Sequence, residues 1–142
     1  MNEVDVFQTT LQKTGEWLRD IRRLLQWESE QRAYLALRAV LHTLRDRLPV
    51  VEAVHLGSQL PMLVRGFYYE GWKPLDKPLK FTHNEFLVAV ATYFRGDETV
   101  TALDVTRAVM ETMSRHIDSG ELRKLEHVLP RDFADLLHVP AA

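Results

Sequence analysis

The chain of 142 residues contains no cysteine, and this absence excludes several kinds of chemistry at once. Disulfide bonds, zinc–thiolate sites, iron–sulfur clusters and cysteine nucleophiles all need that side chain. Glycine is scarce as well: the six glycines are scattered and form neither a phosphate-binding loop nor the Gly-x-Ser-x-Gly turn of a serine hydrolase. Hydrolase and nucleotide-binding functions thus have no motif to support them, so we expect no cofactor and favour a non-catalytic protein over an enzyme.

An excess of positive charge is also missing. With 18 basic and 20 acidic side chains the formal net charge is −2, so no surplus of lysine and arginine is available to neutralise phosphates. The longest uncharged stretch in the middle of the chain, residues 53–64, is too short to span a bilayer and contains Pro61. No basic and apolar leader opens the sequence. We expect a cytoplasmic protein without an integral membrane segment and without a nucleic-acid partner.

An internal repeat is the strongest pattern that is present. Residues 14–68 match residues 83–137 without a gap at an offset of 69, and 11 of these 55 positions are identical. In both copies apolar residues recur at spacings of three and four, which predicts amphipathic helices rather than strands. We expect an all-α fold in which a tandem duplication of a four-helix unit packs into one domain, residues 1–142, with pseudo-twofold symmetry.

Local signals predict where the helices begin and end. Capping boxes begin at Thr82, Thr101 and Asp118, and Pro61 and Pro130 suit the first turn of a fourth helix in each copy. The first unit is predicted over residues 5–70, with helices at 5–26, 30–47, 50–59 and 61–70. The second is predicted over residues 82–138, with helices at 82–95, 101–116, 118–128 and 130–138. The linker between them, residues 71–81, contains two prolines and is predicted to form a stiff, extended strap.

Several segments resemble a known bacterial family. They are residues 14–18 (TGEWL), 33–48 (AYLALRAVLHTLRDRL), 59–72 (QLPMLVRGFYYEGW), 119–122 (SGEL) and 128–130 (VLP). These segments are similar to the family DUF2267, and the resemblance covers nearly the whole chain. It implies a small helical bacterial protein and brings no assigned reaction.

Three ionisable positions are identical in the two copies and form a candidate ion network. The pairs are Glu16 and Glu85, Arg38 and Arg107, and Glu52 and Glu121. Arg38 lies beside the apolar stripe of its helix, where a buried guanidinium needs an acceptor. We predict that Arg38 meets a carboxylate or helix-end carbonyls, with Glu52 as first choice and Glu16 as second, and we favour this structural ion pair over a ligand site.

Glu52 and His55 have the Glu-x-x-His spacing that di-iron bundles use. Such a site needs the motif twice, and the second copy has Lys124 at the position of His55. Because lysine is not a suitable second ligand there, we expect no metal site and interpret His55 as a surface or half-buried histidine.

A segment rich in aromatic residues and arginine distinguishes the first copy from the second. It supplies a candidate binding patch made of Arg65, Tyr68, Tyr69 and Trp72, together with Arg47. These residue types dominate binding hot spots, but they also fill seams between packed units, so both interpretations stay open.

The leading hypothesis is a non-catalytic helical module that binds a protein, either an unknown partner or a second copy in a homodimer. The alternative is a binder of small molecules or anions, or an enzyme, with an arginine and aromatic pocket between the two units. Its candidate contacts are Arg38, Arg47, Arg65, Tyr68 and Trp72. A third hypothesis attaches the basic first helix to a membrane surface, but Glu16 and Asp20 weaken it.

Overall fold

The computed structural model describes residues 4–137, and within them all regular structure is helical, without any strand. The first four helices are α1 (Asp5–Leu25), α2 (Glu30–Arg47), α3 (Val50–Ser58) and α4 (Met62–Tyr69). The second four are α5 (His83–Thr92), α6 (Ala102–His116), α7 (Ser119–Val128) and α8 (Ala134–Leu137). None of the helices in this range is both long enough and apolar enough to cross a membrane.

The predicted all-α class is confirmed, and the helices lie close to their predicted positions. Two differences have local causes. Helix α5 stops at Thr92 because the chain then turns through Arg95 and Gly96, both of which have positive φ. The last predicted helix begins as a 3-10 turn (Arg131–Phe133) before it continues as α8, and its predicted end, His138, lies outside the described residues.

One hydrophobic core extends through both halves of the chain. Helix α2 lies in its middle, in contact with α1, α4, α5 and α6, and buries Leu37, Leu41 and Leu44. These residues recur at spacings of three and four and so form one apolar stripe. Met113 and Phe133 of the second half belong to the same core. Full burial of each such side chain stabilises the fold by roughly 1.5–3 kcal/mol.

The helices of the two halves make corresponding contacts. α1 packs on α2 and α6, while α5 packs on α6 and α2. α4 lies against α2, as α8 lies against α6. Two further contacts join corresponding helices: α2 touches α6, and α3 touches α7.

The predicted capping box at the start of α5 is confirmed. The Thr82 hydroxyl accepts a hydrogen bond from the N–H of Glu85 (3.2 Å), and the Glu85 carboxylate accepts one from the N–H of Thr82 (2.9 Å). Two of the four open N–H groups at this helix end are thereby satisfied.

The other two predicted boxes are wrong. Thr101 and Asp118 are the N-cap residues of α6 and α7, but their side chains make no capping hydrogen bond. In α6 the third helical residue is Asp104, which is shorter by one methylene group than the glutamate of a capping box. In α7 it is Glu121, which is buried and directed toward α3 instead.

The linker departs from the predicted extended path at one place. It contains a 3-10 turn at Pro74–Asp76, because the fixed φ of proline suits the first position of a helical turn. The chain then returns to the end of α2. There the N–H of Leu79 donates to the carbonyl of Asp46 (2.7 Å), and Arg47 Nε donates to the carbonyl of Phe81 (2.9 Å).

Candidate functional site: the groove between α1 and α4

An apolar groove runs along the surface between α1 and α4. Phe7 and Leu11 of α1 are 57% and 62% exposed, and Met62 and Leu63 of α4 are 42% and 41% exposed. Large apolar side chains exposed together mark interaction sites more often than scattered ones do. The groove encloses about 630 Å³. Its lining residues are Phe7, Thr10, Leu11, Met62, Leu63, Gly66, Phe67 and Glu70.

The groove exists because α1 is much longer than α5, with 21 residues against 10. The first turns of α1 extend past the core, so that Thr10 is their buried residue while Phe7 and Leu11 face solvent. Thr10 attaches this part of α1 to α4, because its hydroxyl oxygen accepts a hydrogen bond from the N–H of Leu63 (2.8 Å). Helix α4 follows Pro61, which offers no capping side chain, and Thr10 supplies the missing acceptor.

A more polar cavity adjoins the groove, and we call it the charged cavity. It encloses about 410 Å³, and Thr10 and Met62 line both depressions. Four ionisable side chains contribute to its wall: Lys13, Glu16, Arg65 and His116.

Arg65 is fixed in place by the end of α3. Its Nε donates to the carbonyl of Gly57 (3.2 Å), and its Nη2 donates to the carbonyl of Leu60 (2.9 Å). A guanidinium held in this way cannot swing freely, so its charge stays beside the cavity. The groove is thus apolar along its length and has Lys13 and Arg65 beside one end.

A family model described as "Uncharacterized conserved protein (DUF2267)" matches residues 14–136. The chain belongs to this family. The match confirms the resemblance noted in the sequence and extends from the middle of α1 into α8. Phe7, Thr10 and Leu11 precede the matched residues, so one wall of the groove lies outside them. A search of curated proteins finds no match to this DUF2267 chain.

The predicted binding patch of this DUF2267 member is divided between core and surface. Tyr68 is fully buried on the inner side of α4, and its hydroxyl donates to the carbonyl of Ala53 (2.6 Å). Arg47 is buried as well, and its Nε donates to the carbonyl of Phe81 in the linker. Neither residue can therefore form part of an accessible patch, which corrects that part of the prediction.

The other three patch residues are closer to solvent. Tyr69 and Trp72 are half-buried, with ring centres 5.5 Å apart, and Arg65 is exposed. Of the five contacts predicted for a pocket between the units, Arg65 is the one that lines the charged cavity.

Arg38 has a carboxylate partner, but neither of the two that the sequence suggested. Its Nη2 donates to Glu70 (2.6 Å), and its Nη1 donates to the hydroxyl of Tyr34 (3.1 Å). Glu70 follows the last turn of α4, which packs on α2. Glu52 instead lies where α3 meets α7, and Glu16 lines the charged cavity.

The corresponding arginine in the second half also uses a different acceptor. Arg107 Nε donates to the backbone carbonyl of Asp135 (2.9 Å) rather than to Glu121. Glu121 lies within 4.8 Å of Glu52 and His55, measured between one potential ligand atom of each side chain. Both arginines thus find a carboxylate or a helix-end carbonyl, as expected, but the predicted partners of Arg38, Glu52 and Glu16, are wrong.

His42 is a buried polar residue that joins three helices. Its Nε2 lies 2.6 Å from the carbonyl oxygen of Phe67, and its Nδ1 lies 3.3 Å from the hydroxyl of Tyr93. A neutral ring satisfies both, because Nε2–H can donate while Nδ1 accepts. Burial lowers the pKa of His42; the Phe67 carbonyl opposes this shift, and the charge of Arg45 adds to it.

The sequence interpretation missed the exposed apolar residues of the groove, although the repeat contains a signal for them. At the offset of 69, Met62 and Leu63 correspond to Arg131 and Asp132. This difference between the two copies could have drawn attention to the exposed apolar pair.

Proposed function

We propose that this chain is a non-catalytic helical interaction module whose α1–α4 groove binds an amphipathic helix of a partner protein. The observation that carries the proposal is the joint exposure of Phe7, Leu11, Met62 and Leu63 in one groove. A groove between two helices suits a third helix that presents apolar side chains at spacings of three, four and seven residues.

The charges around the groove favour one kind of partner. Lys13 and Arg65 lie beside one end, whereas Glu70 at the groove itself is paired with Arg38 at 2.6 Å. A partner helix with acidic residues near one end would meet complementary charge while its apolar face fills the groove. Complementary charge of this kind fixes the direction in which a helix binds.

We also propose that the fold is the tandem duplication predicted from the sequence, with two four-helix units joined by residues 71–81 and related by a near-twofold axis. The offset of 69, the equal order of the helices and the corresponding helix contacts support it. Under this proposal the groove lies where the two units differ, since α5 lacks the additional turns of α1.

Selection of helical peptides on the immobilised full chain tests the groove. We expect the selected peptides to carry apolar residues at i, i+4 and i+7 and acidic residues near one end. Leu11→Glu should weaken their binding at least about tenfold, because it places a charge in the apolar contact. Val88→Glu is the matched control, since Val88 of α5 is equally exposed (63%) and lies away from the groove.

Circular dichroism and thermal melting first establish that both variants are folded. Peptide binding that is unaffected by Leu11→Glu contradicts the proposed site. A chain that sediments as a dimer, and becomes monomeric with Leu11→Glu but not with Val88→Glu, would show that the groove binds a second copy instead.

A second candidate function is the binding of a small anion in the charged cavity. Lys13, Arg65 and His116 line this cavity, and its volume of about 410 Å³ lies in the range of ligand sites. Two variants distinguish the two candidate functions. Lys13→Gln should abolish anion binding and leave peptide selection largely intact, whereas Leu11→Glu should do the reverse.

A further inference from the structure

The contact between α3 and α7 brings two carboxylates and a histidine together. Glu52 and His55 lie three residues apart and so share one face of α3, and Glu121 approaches them from α7. One nitrogen or oxygen atom from each of these side chains lies within 4.8 Å of the other two. Residues from distant parts of the chain therefore form one cluster of potential metal ligands.

The two carboxylates in this cluster lack sufficient partners. Glu121 is only 8% exposed, and its Oε1 is buried without a hydrogen bond. The Oε2 atom of Glu52 is likewise buried and without a hydrogen bond, at 4.0 Å from Nδ1 of His55. Lys124 approaches the other oxygen of Glu121, but only to 3.7 Å. Buried carboxylates in this state are costly unless a cation lies between them.

We propose that Glu52, His55 and Glu121 bind one divalent transition-metal ion, with Zn²⁺ as the best-suited probe. Two carboxylates and an imidazole are ordinary donors for Zn²⁺ and leave the fourth position to water. Around a tetrahedral ion the donor atoms lie about 3.4 Å apart, so the cluster must contract by up to about 1.4 Å.

The side chains at the edge of the cluster permit this contraction. His55 is about half exposed (52%), so its ring can turn inward and the ion can enter from the solvent side. The Lys124 side chain is 58% exposed and can move away into solvent. Glu121 forms the buried floor of the site.

Such an ion would connect the two halves of the chain. Residues 52 and 55 belong to the first half and residue 121 to the second, and binding to the folded state alone raises the melting temperature. The site is separate from the α1–α4 groove, so the proposal does not depend on the function proposed above.

The experiment uses the full chain, freed of metal with a chelator, and measures Zn²⁺ binding by calorimetry and by thermal melting. We expect one equivalent of Zn²⁺ to bind and to raise the melting temperature. Glu121→Gln and His55→Gln should each weaken binding at least about tenfold, since each removes a ligand. Glu126→Gln and His127→Gln, both exposed on α7, are the matched controls and should bind as the parent does.

Three results would overturn the proposal. The first is Zn²⁺ binding that is unchanged in both Glu121→Gln and His55→Gln. The second is binding that is lost in His116→Gln or His83→Gln, which would place the ion beside Asp20 or Asp135 instead. The third is the absence of Zn²⁺ binding to the folded parent chain. His55→Gln changes an exposed residue and keeps the test valid if Glu121→Gln does not fold.

Discussion

Arginine side chains complete backbone hydrogen bonds that helix ends leave open. Nη1 of Arg45 donates to the carbonyls of Tyr68 (2.8 Å) and Glu70 (3.0 Å) at the C-terminal end of α4, and its Nε pairs with Asp46 (2.9 Å). The last carbonyls of a helix have no partner within the helix. Arg45, whose side chain is 6% exposed, therefore fixes the end of α4 on α2.

Arg45→Met is expected to lower the free energy of unfolding by about 2–3 kcal/mol, because two carbonyls removed from solvent lose their donor. Arg38→Met should cost about 1 kcal/mol or less, since its partner Glu70 is 66% exposed and the pair is screened by water. Urea denaturation of the two variants measures both losses. Equal losses would contradict this ranking.

His42 should make stability depend on pH in a defined window. Burial lowers its pKa in the folded state below the ordinary value of about 6.5, so the unfolded state binds more protons between these two values. The stabilising contribution is thus complete above about pH 6.5 and is lost as the pH falls toward the folded pKa. The pH dependence that His83 adds to stability falls above this window, because a hydrogen bond to Asp135 raises the pKa of His83.

The check on His42 is the melting temperature between pH 5 and 6.5. The parent chain should lose stability over this range, and His42→Gln should lose less because the titrating group is gone. His127→Gln, at an exposed position of α7, is the control and should follow the parent. A pH slope for His42→Gln that equals that of the parent would contradict the assignment.

The helices of this fold differ in whether the N-cap side chain makes a capping hydrogen bond. α5 has its reciprocal box, whereas the Asp118 side chain at α7 makes no capping hydrogen bond. Thr82→Ala should therefore lower the free energy of unfolding by about 1 kcal/mol. Asp118→Ala should cost less, because it removes only a negative charge near the helix N-terminus. Urea denaturation measures both losses in the free energy of unfolding. A larger loss for Asp118→Ala than for Thr82→Ala would contradict the structural difference.

The helices could be predicted because their signals are local. Apolar spacing, Pro61 and Pro130 place most helices of both halves close to their observed bounds. The sequence shows where a capping box can form but not whether it does. The glutamate of a box can also meet other partners in the folded chain. Glu121 has the correct spacing from Asp118, yet it is buried against α3.

The candidate sites depend on how the two halves pack, and this information is not local. Lys124 at the position of His55 argued against a metal site, because the sequence interpretation required the Glu-x-x-His motif in each copy. The contact of α3 with α7 instead brings Glu52, His55 and Glu121 to one place, although residues 52 and 121 are 69 positions apart. The α1 wall of the groove was equally hidden, since Phe7 and Leu11 follow the same helical spacing as core residues.

The first turns of α1 line the groove but contribute very little to the core. Before residue 14, Thr10 is the buried residue of this helix. Substitutions at its exposed positions should therefore leave the fold nearly unchanged while they alter the surface that a partner would touch. In evolutionary terms, the exposed surface of this stretch can change without passing through unstable intermediates, whereas comparable changes in the buried face of α2 would be removed by selection.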